Sequence, residues 1–123
     1  MKFRLARHTT NLQAIIDFYT QNLDLEVLGS FEAHSNYDGV FLGKKGLDWH
    51  LEFTVSPEAP KHHSDEDDLL VFYTQDANEF DRLKANFDRH KQKPIAAKNP
   101  YWKEHGLTYL DPDGFRVVIV RPL

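Results

Sequence analysis

A strand–helix–three-strand pattern that occurs twice is the feature that most constrains the fold of this 123-residue chain. Short runs of alternating or β-branched and aromatic residues, separated by polar and Gly-containing turns, mark the strand candidates. Those of the first half are residues 3–8, 26–31, 39–42 and 49–55. Those of the second half are residues 69–74, a short segment near 94–97, and residues 107–110 and 115–120.

Each half also has one predicted helix, placed after its first strand. Apolar residues recur at helical spacing at Leu12, Ile15, Ile16, Tyr19 and Leu23, and at Ala77, Phe80, Leu83 and Phe87. Thr10 with Gln13, and Asp76 with Glu79, have the spacing of a capping box at the two helix starts. The second pattern repeats the first with a shift of about 65 residues. We expect the apolar helix faces to be buried against the outer faces of two sheets.

A Pro-containing acidic segment lies between the halves and predicts the domain organisation. It cannot continue a strand, and it indicates a solvated linker at residues 57–68. The chain is therefore predicted to be one domain, 1–123, with modules at 1–56 and 69–123. Near the end, Asp111–Pro112–Asp113–Gly114 suits a type I turn between the last two strands.

Composition excludes several classes of protein. The formal net charge is −4, which argues against nucleic acid as a partner because phosphate binding needs a basic face. The absence of Cys excludes disulfides, a thiol nucleophile and Cys-ligated zinc. No apolar run approaches the roughly 20 residues of a membrane helix, and the first residues lack a signal-peptide core. We expect a cytoplasmic protein with neither nucleic-acid nor membrane partners.

Two segments resemble motifs of one superfamily. Residues 11–23 resemble the first helix of the vicinal-oxygen-chelate (VOC) superfamily of glyoxalases, extradiol dioxygenases and bleomycin-resistance proteins, usually D-L-x-x-S-x-x-F-Y-x-x-x-L-G. Residues 111–116 resemble its D-P-D-G-[FY] turn before the last strand. The chain departs from the pattern where Asn11 replaces Asp, Ile15 replaces a small residue and Asp24 replaces Gly; Asp is tolerable as a left-handed C-cap. The resemblance implies an α+β fold of two βαβββ modules, whose curled mixed sheets form a shared cup.

The resemblance also assigns four inward strand positions that hold metal ligands in metal-using members. Here they are Arg4, Glu52, Leu69 and Val118. Only Glu52 could bind a metal, because arginine stays protonated and leucine and valine have no donor atom. We therefore expect no metal and no other cofactor. Arg4 and Glu52 could instead form an ion pair where the metal stands, anchor a ligand, or form a partly solvated salt bridge worth ~0–1 kcal/mol.

Further residues are candidates for ligand binding, each with a structural alternative. His8 and His50 share the strand faces of Arg4 and Glu52, although a strand histidine is often a structural hydrogen-bonding group. Arg116 could meet an anionic ligand or be a rim charge. Tyr101 and Trp102, in the loop at residues 99–106, could form a pocket wall, pack on the loop itself or contact a partner subunit. The adjacent His62 and His63 indicate a flexible acidic linker rather than a metal site.

These residues predict a metal-independent homodimer that binds a small molecule, aromatic or cationic, in the cup. The alternative is an enzyme of the same fold, a lyase, isomerase or dioxygenase, that uses Glu52 or a histidine as base or a divalent metal. A third is a regulatory module that binds another protein.

Overall fold

The computed structural model describes residues 1–123, which form seven strands and three helices. The strands are β1 (Phe3–His8), β2 (Glu26–His34), β3 (Tyr37–Gly43), β4 (Trp49–Val55), β5 (Leu69–Tyr73), β6 (Gly106–Leu110) and β7 (Arg116–Val120). The helices are α1 (Leu12–Leu23), α2 (Ala77–Arg89) and α3 (Pro100–His105). Contacts divide the chain into two units, Met1–His62 and His63–Leu123, at a point inside the predicted linker. The predicted α+β class with two small mixed sheets is confirmed.

The first unit is a four-stranded sheet in the order β1-β4-β3-β2, with β1 parallel to β4 and the other pairs antiparallel. Helix α1 begins at Asn11, whose side chain accepts a hydrogen bond from the Ala14 backbone N–H at 3.0 Å. The N-cap is thus Asn11 rather than Thr10, and Gln13 bonds to Asp17 instead. The helix ends at Asp24, which adopts the left-handed conformation with φ of 58°.

One face of this sheet is covered by α1. The buried side chains Ile15, Phe18, Tyr19 and Leu23 face the sheet, and the Tyr19 ring lies 5.2 Å from that of Phe53. Leu12 and Ile16, which we expected to be buried, are half-buried because they lie at the edge of the helix–sheet contact. Burial of these aromatic and aliphatic side chains is the main stabilising contribution in this unit.

The second unit is a three-stranded sheet in the order β5-β7-β6, with β5 parallel to β7. The predicted cap of α2 forms, since Asp76 accepts from the Glu79 N–H and Glu79 accepts from the Gln75 N–H. Phe80, Leu83 and Phe87 are buried as expected. Phe87 stacks on Tyr109 with ring centroids 3.7 Å apart, so this unit has an aromatic core of its own.

Residues 91–106 differ from the predicted pattern. The segment near residues 94–97 contributes only a single bridge, Ile95 to Thr108, so the fourth strand of the second module is reduced to one pair. The loop predicted at residues 99–106 forms helix α3, with the Asn99 side chain as N-cap and Pro100 at the first helical position. Proline is favoured there because that N–H has no helical partner. The predicted turn is confirmed, with the Gly114 N–H bonded to the Asp111 carbonyl at 2.9 Å.

None of the three helices has the combined length and apolar character that a membrane-spanning segment requires.

Candidate functional site

The sheet of the first unit has one face that α1 does not cover, and we call it the open face. Side chains alternate across a strand, so residues in phase with the buried Leu51 and Phe53 face α1 and the others face away. The open face carries Arg4 and His8 of β1, Phe31 of β2, Tyr37, Gly39 and Phe41 of β3, and His50, Glu52 and Thr54 of β4. Three sequence-predicted residues, Arg4, His50 and Glu52, come together there.

Arg4 is the centre of this cluster. Its Nε donates to Nε2 of His50 at 2.9 Å, and its Nη1 donates to Oε1 of Glu52 at 3.4 Å. The guanidinium carbon lies 4.9 Å from the centroid of the Phe41 ring, within the range of a cation–π contact. The Arg4 side chain is 49% exposed and that of Glu52 only 14% exposed. The guanidinium therefore covers the carboxylate and itself faces outward.

His50 is held as a neutral imidazole by its surroundings. Burial and the positive charges of Arg4 and Lys2 lower the pKa of His50 below its ordinary value of 6.5, and Glu52 opposes them. Because Nε2 accepts the hydrogen bond from Arg4, the ring proton of the neutral form is on Nδ1. The lone pair that a metal ion or a substrate proton would use is directed at a guanidinium.

The residues present do not fit the divalent metal that the superfamily implies. A catalytic metal needs about three protein ligands with free lone pairs. Glu52 is paired with Arg4, and the remaining two assigned positions are the half-buried Leu69 and the fully buried Val118. No cluster of three or more His, Cys, Asp or Glu side chains is arranged to hold a metal.

His8 lies farther along the same face and serves another contact. Its Nδ1 is 2.7 Å from the Thr54 hydroxyl, and its Nε2 lies 3.1 Å from the Ser56 hydroxyl and 2.9 Å from the Glu58 carbonyl. Because a carbonyl only accepts, Nε2 carries a proton. Both ring nitrogens are thus engaged, and His8 fixes the segment that follows β4.

Aromatic side chains of β2 and β3, which were not among the residues predicted from the sequence, complete the open face. The Phe41 ring lies 5.8 Å from those of both Phe31 and His50. Phe31 lies across Gly39, where an added Cβ would come within 2.3 Å of the ring. The signal was available, because Phe41 alternates with the buried Val40 and Leu42 and must therefore face away from α1.

The other three predicted site residues belong to the second unit. Trp102 and Arg116 line a cavity of about 10 Å³ together with Leu69 and Thr108, too small for anything beyond a water molecule. Arg116 donates to the Ala96 carbonyl at 3.3 Å and pairs with Glu66 at 3.6 Å. Tyr101 is 54% exposed and packs edge-on against Trp102. Within this unit, Trp102 and Arg116 are thus engaged by their own chain.

One larger groove, of about 250 Å³, lies between α1 and the edge of the first sheet. Leu12, Ile16 and Val27 form its apolar part, and Glu32 and Asp38 lie among its lining residues. Phe31 and Gly39 of the open face also line this groove, whereas Arg4, His50 and Glu52 do not.

Comparison with known proteins gives consistent matches over nearly the whole chain. The YycE-like N-terminal domain family matches residues 3–54, and the YycE-like C-terminal domain family matches residues 67–121. The YycE protein of Bacillus subtilis (strain 168) is 39% identical over 122 residues, which cover 97% of this chain and 86% of that protein.

Solved structures show the same fold. A crystal structure of the Bacillus subtilis YycE protein, a protein of unknown function grouped with glyoxalase and fosfomycin resistance proteins, superposes with a TM-score of 0.87 at 38% identity, covering 99% of this chain and 90% of that one. The glyoxalase I of Leishmania major gives 0.72 at 22% identity, covering 96% and 84%. TnmS3, an antibiotic binding protein from Streptomyces sp. CB03234, gives 0.70 at 19% identity, covering 100% and 96%.

Proposed function

The chain belongs to the YycE-like family and has the glyoxalase/bleomycin-resistance fold, and from this premise we propose that it binds a small molecule on its open face without a divalent metal. The observation that carries the proposal is the position of Arg4. Its guanidinium bonds to both His50 and Glu52, two side chains of the open face that could otherwise ligate a metal. The face keeps polar donors beside aromatic surface, which is the usual composition of a small-molecule site.

The fold comparison supports binding as a function of this architecture. TnmS3 is described as an antibiotic binding protein, so the fold is compatible with a role in binding. At 19% identity this likeness concerns the fold alone, and the ligand of this chain has to be inferred from its own residues.

Elemental analysis of the untagged protein tests the metal-free part of the proposal. We expect far less than one equivalent of zinc, iron, nickel or manganese per chain, because a fixed positive charge occupies the centre of the cluster. About one equivalent of metal that is lost in the Glu52→Gln variant would overturn the proposal and favour an enzyme.

Catalysis by the same fold is the second candidate function, and the lowered pKa of His50 is the observation that favours it. A neutral imidazole can accept a proton near neutral pH. Its Nε2 already accepts from Arg4, however, so a substrate would first have to displace the guanidinium. Bound metal in the elemental analysis proposed above would favour this candidate.

We also propose that the protein is a cytoplasmic homodimer. Both β1 and β5 are edge strands, and they carry Phe3 at 62% and Tyr73 at 72% exposure. Unpaired edges with large apolar side chains are surfaces that a second copy can cover. Sedimentation should show a dimer at about 10 µM, a concentration suited to ordinary interfaces. A monomer under these conditions would contradict the assembly.

A further inference from the structure

We infer that the ligand of the open face is an aromatic anion, whose carboxylate or phosphonate group meets Arg4 and whose ring packs against Phe31 and Phe41. This inference rests on the proposed function and names the chemical class of its ligand. The overall net charge of −4 fits a cationic ligand better. The local arrangement of charge on the open face indicates the opposite.

The first step is the hydrogen-bonding capacity that Arg4 retains. A guanidinium has five N–H donors, and the contacts to His50 and Glu52 use two of them. The side chain is nearly half exposed, so the remaining donors are accessible from the open face. Arginine presents these donors in a planar fork that matches the oxygens of a carboxylate or phosphonate.

The second step is the state of the only carboxylate in the cluster. Glu52 is mostly buried and already receives a hydrogen bond from Arg4. A cationic ligand would have to approach it past the outward-facing guanidinium, and like charges repel at short range. Glu52 therefore orients Arg4 and does not act as a receptor for a cation.

The third step is the sign of the local field. Lys2 lies close enough for its charge, together with that of Arg4, to lower the pKa of His50. Of the charges that act on His50, those of Arg4 and Lys2 are positive and only that of Glu52 is negative. The surroundings of Arg4 and His50 thus carry more positive than negative charge, in a molecule that is negative overall.

The fourth step is the apolar part of the ligand. Phe41 lies between Arg4 and Phe31, and the Phe31 ring lies across Gly39, which has no side chain to displace it. A ring next to a guanidinium that stacks on Phe41 gains both aromatic and cation–π contacts. A group that combines a ring with an adjacent negative charge matches this surface.

Titration of the full chain with four probes, followed by heteronuclear NMR, tests the inference. The probes are benzoate and phenylphosphonate as anions, benzamide as the neutral analogue, and benzylamine as the cation. We expect the anions to shift the backbone resonances of Arg4, Phe41 and His50, with a Kd at least about ten-fold lower than that of benzamide or benzylamine. Arg4→Met, which keeps length but removes the charge, should abolish this preference.

Two further variants control the measurement. Arg82→Met is matched, because Arg82 is also about half exposed and paired with a glutamate, but it lies on α2; it should bind the anions as the wild type does. Arg4→Lys keeps the charge without the planar fork and should bind them with intermediate affinity. If Arg4→Met fails to fold, the affinity of Arg4→Lys for the anionic probes still tests the role of Arg4.

The outcomes separate the inference from the proposed function. If benzamide or benzylamine shifts the open-face resonances as strongly as benzoate, the anion inference is overturned while small-molecule binding stands. If no probe shifts them at millimolar concentration, both fail. If Arg4→Met retains the wild-type preference for benzoate, the anion site lies elsewhere and the role given to Arg4 is wrong.

Discussion

The two units have the same order of a strand, a helix and antiparallel strands, but they differ in the sheet face that lies opposite the helix. In the first unit this face carries a charged cluster of Arg4, His50 and Glu52. In the second unit the corresponding positions include Leu69 and the fully buried Val118. A repeated backbone pattern therefore does not imply a repeated cluster of polar side chains, and the cluster that we propose as the site lies in the first unit.

The segment that follows each helix accounts for much of this difference. In the second unit, residues 91–105 form a loop that ends in α3, and Trp102 of this helix lies beside Leu69 and Thr108 on that face. In the first unit the chain instead forms the β2–β3 hairpin, whose turn residues Ser35 and Asn36 both have positive φ, as a tight hairpin requires. The hairpin adds aromatic surface to the face without covering Arg4.

The largest change in the free energy of unfolding is expected when residue types are exchanged between the two faces. Val118→Arg would place an unpaired charge at a fully buried position, which costs about 3–5 kcal/mol or more in the free energy of unfolding. The reverse change, Arg4→Val, removes a half-exposed ion pair and should cost at most about 1 kcal/mol. Denaturant unfolding measures both variants. Equal losses of unfolding free energy in the two variants would show that position 118 is no more buried than position 4, contrary to the structure.

A pair of glycine substitutions tests the same comparison, with smaller expected losses of unfolding free energy. An alanine Cβ at Gly106 would lie 2.3 Å from the Ile119 carbonyl oxygen, which belongs to the sheet backbone and cannot move easily. Gly106→Ala should therefore destabilise by about 2–3 kcal/mol, at the upper end for overpacking.

Gly39→Ala is the matched variant in the first unit. Its Cβ would meet the Phe31 ring, a side chain that can rotate away, so we expect a loss of about 1 kcal/mol. Displacing Phe31 should nevertheless weaken benzoate binding on the open face. A Gly39→Ala protein that is as destabilised as Gly106→Ala would show that the hairpin is as rigid as the sheet of the second unit.

Most of the fold could be predicted from the sequence because its signals are local. The periodicity of α1 and α2, the Asp76 cap and the turn at residues 111–114 depend on neighbouring residues only. The helix α3 was missed because six residues with two aromatics after a proline show no helical period. The Thr10 cap was misassigned because Thr and Asn compete for the same role, and Asn11 has the required geometry.

The candidate site was predictable only in part, since it depends on register between distant strands. The resemblance to the VOC superfamily predicted that Arg4 and Glu52 face the same side, and alternation along β4 added His50. Neither could show that Arg4 bonds to His50 as well as to Glu52, or that His8 is occupied by Ser56 and the Glu58 carbonyl. Those contacts depend on side-chain rotamers and on the path of the chain after β4.

In the second unit the group with the largest pKa shift lies in the core rather than on a face. Burial raises the pKa of Tyr109 to about 12, with a smaller contribution from Asp88. Because the unfolded chain would ionise Tyr109 near its ordinary value of 10.0, the stability that the neutral phenol contributes is complete below that pH and is lost as the pH rises toward 12.

The matched variant is Tyr109→Phe, which keeps the ring stacked on Phe87 and removes a buried hydroxyl that lacks a hydrogen-bond partner. At neutral pH it should be neutral or slightly stabilising. Above about pH 10 it should be more stable than the wild type by on the order of 1–2 kcal/mol. Unfolding curves at neutral and alkaline pH test this, and a wild type that resists alkali as well as the variant does would contradict the buried phenol.

The smallest change in stability is expected from the protonation of His50 in acid. Like Tyr109 in the second unit, His50 has a shifted pKa, but it lies on the open face of the first unit. Its pKa is lowered by burial and by Arg4 and Lys2, so on acidification the unfolded chain binds the proton first. The contribution of neutral His50 to stability is therefore complete above about pH 6.5 and falls as the pH drops toward the lower pKa of the folded state. The Arg4 Nε–His50 hydrogen bond is lost in the same range, because protonated Nε2 can no longer accept it.

Titration of the His50 imidazole by heteronuclear NMR should give a midpoint below 6.5 in the wild type. Arg4→Met should raise that midpoint toward the ordinary value, and Lys2→Gln should raise it less, since the Arg4 charge is the larger of the two. A midpoint that is unchanged in Arg4→Met would mean that Arg4 does not contact His50 in solution, and the charged cluster of the first unit would then be reduced to the Arg4–Glu52 pair.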